Sequence, residues 1–253
     1  MDKSRVFCLG MLVGLMLQEG LAAPGDPAVR AKTAFLETQK RHGGEPRNAE
    51  AAWQFARACF DLAGFATNNS QRAEIAEKGI SACRESIRRE SNSAPAHYYL
   101  GMNLGQLAQT RGIGALKIVT EMEREFTTSK ELDPSFDYAG PDRNLGLLYR
   151  EAPSFASIGS RTLARKHLQR AVEMAPGYPE NRLNLLETFS GWNDRNGVRR
   201  ELKALDEEWP RAHTHFSGPD WAASWADWEA RLLKVRKKFE EPPKAIESPR
   251  QKD

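Results

Sequence analysis

Cysteine is scarce in this chain, neither sign of charge is in clear excess, and long apolar runs are missing beyond the N-terminus. Three cysteines in 253 residues leave little scope for disulfides. The 37 basic and 34 acidic side chains give a net charge of only +3, which does not supply the positive field that nucleic acid binding needs. Hydrophobic residues still make up 40% of the chain. We therefore expect a folded protein that does not bind nucleic acid.

Signatures of common enzymes are also missing from the sequence. There is no glycine-rich phosphate loop followed by Lys and Ser or Thr, no His-Glu-x-x-His and no Gly-x-Ser-x-Gly. His213 and His215 could approach a metal, but without a third ligand nearby in sequence they are better interpreted as part of a surface loop. The sequence thus predicts a protein that is not an enzyme and has no cofactor and no metal.

The first 23 residues have the organisation of a secretory signal peptide. Lys3 and Arg5 form a basic start, residues 6–17 are apolar but too short to span a bilayer, and small residues follow. Cleavage is expected near Ala22 or Ala23, and retention of the segment as a membrane anchor is the alternative. We predict a signal peptide at 1–23, a helical domain at 24–241 and a disordered tail at 242–253, with the mature chain periplasmic or secreted and not stably inserted in a membrane.

Removal of the signal would take Cys8 with it and leave one pair of cysteines. Cys59 and Cys83 could form a disulfide in an export compartment. Both also lie on apolar helix faces, which favours two buried free thiols.

The chain repeats a pattern with a period near that of a tetratricopeptide unit, about 34 residues. Three segments carry small or apolar residues at the same helical spacing, which lets a neighbouring helix approach closely. These residues are Gly79, Cys83 and Ser86, then Met122, Phe126 and Ser129, then Ala164, Leu168 and Ala171. Each segment is interpreted as the second helix of a hairpin.

Matching first helices precede these segments. Leu100-Gly101 and Leu145-Gly146 are equivalent steps in two of them, and Trp53 begins the corresponding face of the first hairpin. A fourth hairpin is expected between Pro179 and Trp209. A last helix, capped by Asp220, carries one apolar stripe formed by Trp221, Trp225, Trp228, Leu232, Val235 and Phe239. The predicted fold is all-α, a tetratricopeptide-like solenoid of about four helical hairpins with a C-terminal capping helix.

The first helices of such a solenoid line its concave face, where ligands or partners bind. Arg143 follows Gly140-Pro141-Asp142 at a helix start, a position that attracts anions. It could instead pair with Asp142 or Glu151 as a structural salt bridge, and two asparagines could bind a ligand or join helices. The candidate ligand- or partner-binding residues are Tyr98, Asn103, Arg143, Tyr149, Arg150 and Asn181.

With these motifs identified, the chain resembles the tetratricopeptide T component of TRAP (tripartite ATP-independent periplasmic) transporters. The resemblance runs roughly over residues 94–189 and depends most on Gly140-Pro141-Asp142-Arg143-Asn144-Leu145-Gly146. It implies an all-helical, non-enzymatic periplasmic protein that associates with a substrate-binding protein or holds a small anionic or hydrophobic ligand. An adaptor that binds protein partners in the cell envelope is the alternative, and either class is compatible with oligomers.

Overall fold

In the computed structural model, the described residues are 26–111, 114–154 and 157–240. They form ten α-helices and contain no strand. The predicted signal peptide at 1–23 and the tail at 242–253 lie outside the described residues and remain predictions. Within the described ranges, no helix is both long enough and apolar enough to cross a membrane.

Consecutive helices pack against each other in pairs along the chain. Their bounds are α1 Pro27–Gly44, α2 Ala49–Ala63, α3 Asn69–Arg89, α4 Ala94–Ala108, α5 Ala115–Leu132, α6 Phe136–Glu151, α7 Arg161–Met174, α8 Pro179–Gly191, α9 Arg195–His215 and α10 Ala222–Glu240. The hairpins are α2/α3, α4/α5, α6/α7 and α8/α9, with α10 as the final helix. This confirms the predicted tetratricopeptide-like fold of about four hairpins with a C-terminal capping helix.

Helix α1 precedes the first hairpin and was not expected from the repeat pattern. Asp26 caps it by accepting a 2.8 Å hydrogen bond from the amide of Ala28, and Pro27 occupies its first turn. Its apolar face is short, because only Ala31 and Phe35 are buried. Phe35 packs on Phe55 of α2 with ring centroids 5.3 Å apart.

The small residues found in the sequence are the points where paired helices touch. A Cβ added at Gly146 would lie 2.6 Å from Leu168, so α6 and α7 can approach this closely only without a side chain there. The hydroxyls of Ser86 and Ser129 occupy equivalent positions and donate to the carbonyls of Ala49 and Ala94, at 2.8 and 3.0 Å. The repeat pattern therefore determines how each pair packs.

A polar pair also recurs between the two helices of three hairpins. It joins His97 to Glu125 at 2.6 Å, Asp142 to His167 at 2.6 Å, and Arg182 to Glu201 at 2.8 Å. The first member lies four residues before Gly101, Gly146 or Leu186, and the second four residues before Ser129, Ala171 or Leu205. Each of these three hairpins thus has an interhelical polar contact at one position, with different chemistry.

The chain divides into two compact units, the first ending at Asn181 and the second beginning at Arg182. In the second unit Trp225, Trp228, Leu232 and Val235 are buried, and the Trp225 indole N–H donates to the carbonyl of Phe216 at 2.6 Å. Asp220 belongs to a 3-10 turn, Pro219–Trp221, and α10 begins at Ala222, slightly later than predicted. His213 and His215 lie in the last turn of α9 rather than in a surface loop.

Cys59 and Cys83 are buried free thiols on α2 and α3. Burial raises the pKa of the Cys59 thiol to about 12, because the thiolate would be desolvated. The same cause raises the pKa of Cys83. Both cysteines act as small apolar core residues.

Candidate functional site

Helix α6 begins with a turn of the opposite hand. Asp137, Tyr138 and Ala139 have φ angles of 50°, 55° and 62°, and the right-handed helix starts only after them, with Pro141 in its first turn. A left-handed conformation costs about 1–2 kcal/mol for each residue that carries a Cβ. Three such residues in a row persist only where surrounding contacts hold them, and strained segments of this kind concentrate at functional sites.

Arg143 supplies most of those contacts. Its Nη1 donates to the carbonyl of Asp137 at 3.1 Å and to that of Tyr138 at 3.4 Å, and its Nη2 pairs with the Asp137 carboxylate. Arg143 as a whole is only 6% exposed. Arg143 therefore binds the backbone of the left-handed turn directly.

Tyr98 and two asparagines complete this arrangement. The Tyr98 hydroxyl donates to Asp137 at 2.6 Å and accepts from the Asn144 amide at 3.0 Å. Asn181 donates to the carbonyl of Tyr138 at 2.9 Å and accepts from Arg143 Nη1 at 3.1 Å. We call Tyr98, Asp137, Arg143, Asn144 and Asn181 the turn clamp.

Charge and packing within the clamp favour one protonation state. Burial and the Asp137 carboxylate raise the pKa of Tyr98, so its hydroxyl keeps the proton that it donates. Burial alone lowers the pKa of Arg143, but Tyr98 and Asp137 more than offset it and the net shift is upward. A Cβ at Gly140 would lie 2.8 Å from the Tyr98 hydroxyl, so this glycine leaves space for the clamp.

The turn places an aromatic pair at the surface of the first helices. Tyr138 is 39% exposed and stacks on Tyr178 with ring centroids 4.4 Å apart and 16° between planes. The guanidinium carbon of Arg143 lies 5.3 Å from the Tyr178 ring centroid, a cation–π contact. The clamp thus holds both the backbone below Tyr138 and the ring beside it.

A second set of aromatic rings links the first helices α2, α4 and α6. Phe136 contacts Tyr99 of α4 at 6.1 Å, and Tyr99 stacks on Trp53 of α2 at 6.1 Å with parallel planes. Trp53, Tyr99, Phe136, Tyr138 and Tyr178 together form what we call the aromatic row.

An ion pair flanks the row on α2, where Arg57 and Asp61 are 3.9 Å apart. The Asp61 side chain is 46% exposed, yet the surrounding protein still desolvates it and, with the charge of Asp137, raises its pKa to about 6. Within the row Tyr99 is buried, whereas Tyr138 is exposed and Trp53, Phe136 and Tyr178 are partly exposed. These four rings and the ion pair offer a partner both apolar area and polar anchors.

The six residues predicted from the sequence fall into three places. Tyr98, Arg143 and Asn181 come together in the turn clamp. Asn103 is fully buried and donates to the carbonyls of Ala56 and Tyr99, which joins α4 to α2. The remaining two lie at the other end of α6, where the Tyr149 hydroxyl donates to Glu123 at 2.6 Å and Arg150 pairs with its neighbour Glu151.

The salt-bridge partner of Arg143 differs from both expected residues. Asp142 is engaged by His167 and Glu151 by Arg150, whereas Arg143 pairs with Asp137. Asp142 points to the neighbouring helix because it precedes Arg143 by one residue, a helical step of 100°, so the two side chains diverge. Binding by the six predicted residues remains a prediction.

The sequence interpretation missed four residues that the structure brings together, Asp137, Tyr138, Asn144 and Tyr178. The signal for Asp137 and Tyr138 is the Asp-Tyr-Ala-Gly-Pro segment, since a Gly-Pro step marks a helix boundary. Nothing in that pattern predicts left-handed backbone in non-glycine residues.

Comparisons with known proteins agree with the fold. Residues 27–135 match the family model described as "RMD1-3: Regulator of microtubule dynamics protein 1-3". The crystal structure of MamA, a protein of tetratricopeptide-like fold, is similar with a TM-score of 0.51 and 15% identity, covering 77% of this chain and 99% of that one. No curated protein matches the sequence significantly. At this identity the likeness to MamA concerns the fold alone.

Proposed function

We propose that this chain is a non-enzymatic binding scaffold that recognises a protein partner through the aromatic row. A tetratricopeptide-like fold suits protein–protein interaction, because its stacked first helices present a continuous surface. The observation that carries the proposal is the left-handed turn, in which the turn clamp holds three consecutive strained residues, one of them the exposed Tyr138. Interfaces commonly depend on tyrosine and tryptophan anchors of this kind.

We further propose that the protein acts in the envelope as a transport accessory similar to the TRAP T component. The basic, apolar and small residues in order at 1–23 support export, and the Gly140-Pro141-Asp142-Arg143 element supports the resemblance. Its partner would then be a solute-binding protein, or the site would hold a small anionic or hydrophobic ligand. An adaptor for other envelope proteins is the second candidate, since the exposed Tyr138 ring stacked on Tyr178 suits a peptide equally well.

The partner surface can be tested by site-specific photo-crosslinking in the cells that make the protein. A benzophenone amino acid is placed at Tyr138 and, as a matched control, at Leu132, which is similarly exposed at 41% but lies outside the aromatic row. We expect one defined crosslinked protein from position 138, absent from position 132 and lost when Tyr178→Ala is added. Identical products from both positions would contradict the proposed surface.

Export and accessory function need separate tests. N-terminal sequencing of envelope material should find a chain that begins near Ala23, and intact Met1 in that fraction would contradict cleavage. Identification of the crosslinked partner by mass spectrometry then distinguishes the two candidates. A solute-binding protein supports the transport role, and any other envelope protein supports the adaptor.

A further inference from the structure

Asp137 takes part in the turn clamp through only one of its two carboxylate oxygens. The Tyr98 hydroxyl and Arg143 Nη2 both bind Oδ2. In the part of the chain that the structure describes, no hydrogen bond or ion pair reaches Oδ1. An ionised carboxylate accepts about four hydrogen bonds over its two oxygens. Asp137 therefore keeps acceptor capacity for a group outside the chain.

In the ion pair of Asp137 with Arg143, the carboxylate faces water and the cation does not. The Asp137 side chain is 33% exposed, against 8% for that of Arg143. The two terminal nitrogens of the guanidinium are already committed to Asp137, Tyr98, Asn181 and two backbone carbonyls. The pair thus presents negative charge to the surface and keeps its positive charge inside.

The exposed Tyr138 ring follows Asp137 directly in the chain, and Tyr178 stacks on one of its faces. Burial raises the pKa of the Tyr178 phenol, Arg143 opposes this, and the charges of Glu180 and Asp137 raise it further. Two carboxylates and one buried cation therefore act on the stack of rings. A positive charge from a partner complements this arrangement.

The ion pair on α2 does not change the balance of charge. Arg57 and Asp61 are 3.9 Å apart and carry opposite charges. Both interact with Asp137 through space, but neither forms an ion pair with it. The carboxylates of this surface remain in excess.

A guanidinium group fits both features of the surface. It is planar and weakly hydrated, so it stacks on an aromatic ring, and its N–H groups donate to a carboxylate in the same plane. An ammonium group pairs with a carboxylate as a strongly hydrated point charge and does not stack. An acidic side chain is repelled by the two carboxylates.

We propose that the protein partner of the aromatic row presents an arginine side chain, which stacks against Tyr138 and donates to Asp137 Oδ1. The assignment rests on the partner surface proposed above and adds the chemistry of the segment that docks there. Asp137 then has two roles, since Oδ2 holds the turn and Oδ1 binds the partner.

Peptide libraries test this with the full chain immobilised. Three sets of nonapeptides carry arginine, its neutral isostere citrulline, or glutamate at the centre, with degenerate flanks that contain no charged residue. Retained peptide is measured at constant ionic strength. We expect retention of the arginine set to exceed that of the citrulline set at least about threefold, and the glutamate set to be retained least. Equal retention of the arginine and citrulline sets overturns the proposal.

Variants then locate the arginine on the surface. Asp137→Asn and Glu180→Gln should each reduce the preference for arginine over citrulline, the first more strongly. Glu74→Gln is the matched control, because it removes a 69% exposed carboxylate on α3 and should leave the preference unchanged. Thermal melting checks folding, and Glu180 lies outside the turn clamp. A preference that survives in both Asp137→Asn and Glu180→Gln contradicts the assignment.

Tyr138→Ala separates the arginine from the partner surface. Retention that depends on Tyr138 but is equal for arginine and citrulline leaves the surface standing and refutes the arginine. Retention of every set that is unchanged in Tyr138→Ala refutes the partner surface itself, and the arginine with it.

Discussion

Helices α4 and α6 are the first helices of successive hairpins, but they begin in different ways. The start of α4 is conventional, with Ser93 as its cap, accepting a 3.4 Å hydrogen bond from the amide of Ala96. At the start of α6, Ser135 makes no such bond and three left-handed residues follow. The start of α4 belongs to the regular repeat, whereas the left-handed turn of α6 departs from it. Tyr138 reaches the surface in that turn.

Replacement of Arg143 should cause the largest loss of stability, because Arg143 holds the left-handed turn at the start of α6. Arg143→Ala removes a donor from Asp137 and from two backbone carbonyls. We expect the free energy of unfolding to fall by about 3 kcal/mol. This value is at the lower end of the range for breaking a buried ion pair, because the Asp137 side chain is one-third exposed. Arg111→Ala, which removes an exposed pair with Glu77, should cost at most about 1 kcal/mol. Chemical denaturation measures both. Equal losses would show that the clamp does not hold the turn.

A side chain at Gly140 should disturb the clamp without removing any of its members. In Gly140→Ala the new Cβ would crowd the Tyr98 hydroxyl, and overpacking of this kind costs about 1–3 kcal/mol. Gly177→Ala is the control, because nothing lies within 4 Å of its added Cβ. Its effect should be neutral or slightly stabilising. Denaturation curves that shift equally would contradict the close packing at Gly140.

Glycine substitutions at the two helix starts should change the stability of the fold in opposite directions. Ala139→Gly removes the Cβ from a left-handed residue and should stabilise the fold by up to about 1 kcal/mol. Ala96→Gly, in the ordinary first turn of α4, should destabilise it by about 1 kcal/mol. Losses of stability in both variants would argue against strain in the α6 turn.

A smaller effect is expected from the interhelical pair of His97 and Glu125, as a pH dependence of the free energy of unfolding. The hydrogen bond to Glu125 raises the pKa of His97, although burial opposes it. The folded state therefore holds this proton more tightly than the unfolded chain, so the stabilisation is complete below the unfolded value of about 6.5 and is lost as pH rises through the raised one. We expect this stabilisation to contribute about 1 kcal/mol or less to the free energy of unfolding. His97→Gln should remove this part of the pH dependence, which an unchanged stability profile would refute.

The repeat pattern predicted the scaffold well because it records helix contacts directly. Residues such as Ser129 and Leu168 are buried where the spacing placed them. The same pattern brought Tyr98, Arg143 and Asn181 to one region. It could not give their role, since Asp137 becomes the partner of Arg143 only through a backbone conformation that is unfavourable for Asp, Tyr and Ala alike. Helix α1 was missed because it has just two buried residues.

The most direct test of the account is Tyr138→Ala, with partner capture and unfolding free energy measured on the same preparation. Because Tyr138 is proposed to contact the partner, capture should fall at least about tenfold, as for an interface anchor. Stability should change by no more than about 1.5 kcal/mol, the value of an aromatic pair. Unchanged capture together with a larger loss of stability would make Tyr138 part of the scaffold and contradict the central claim.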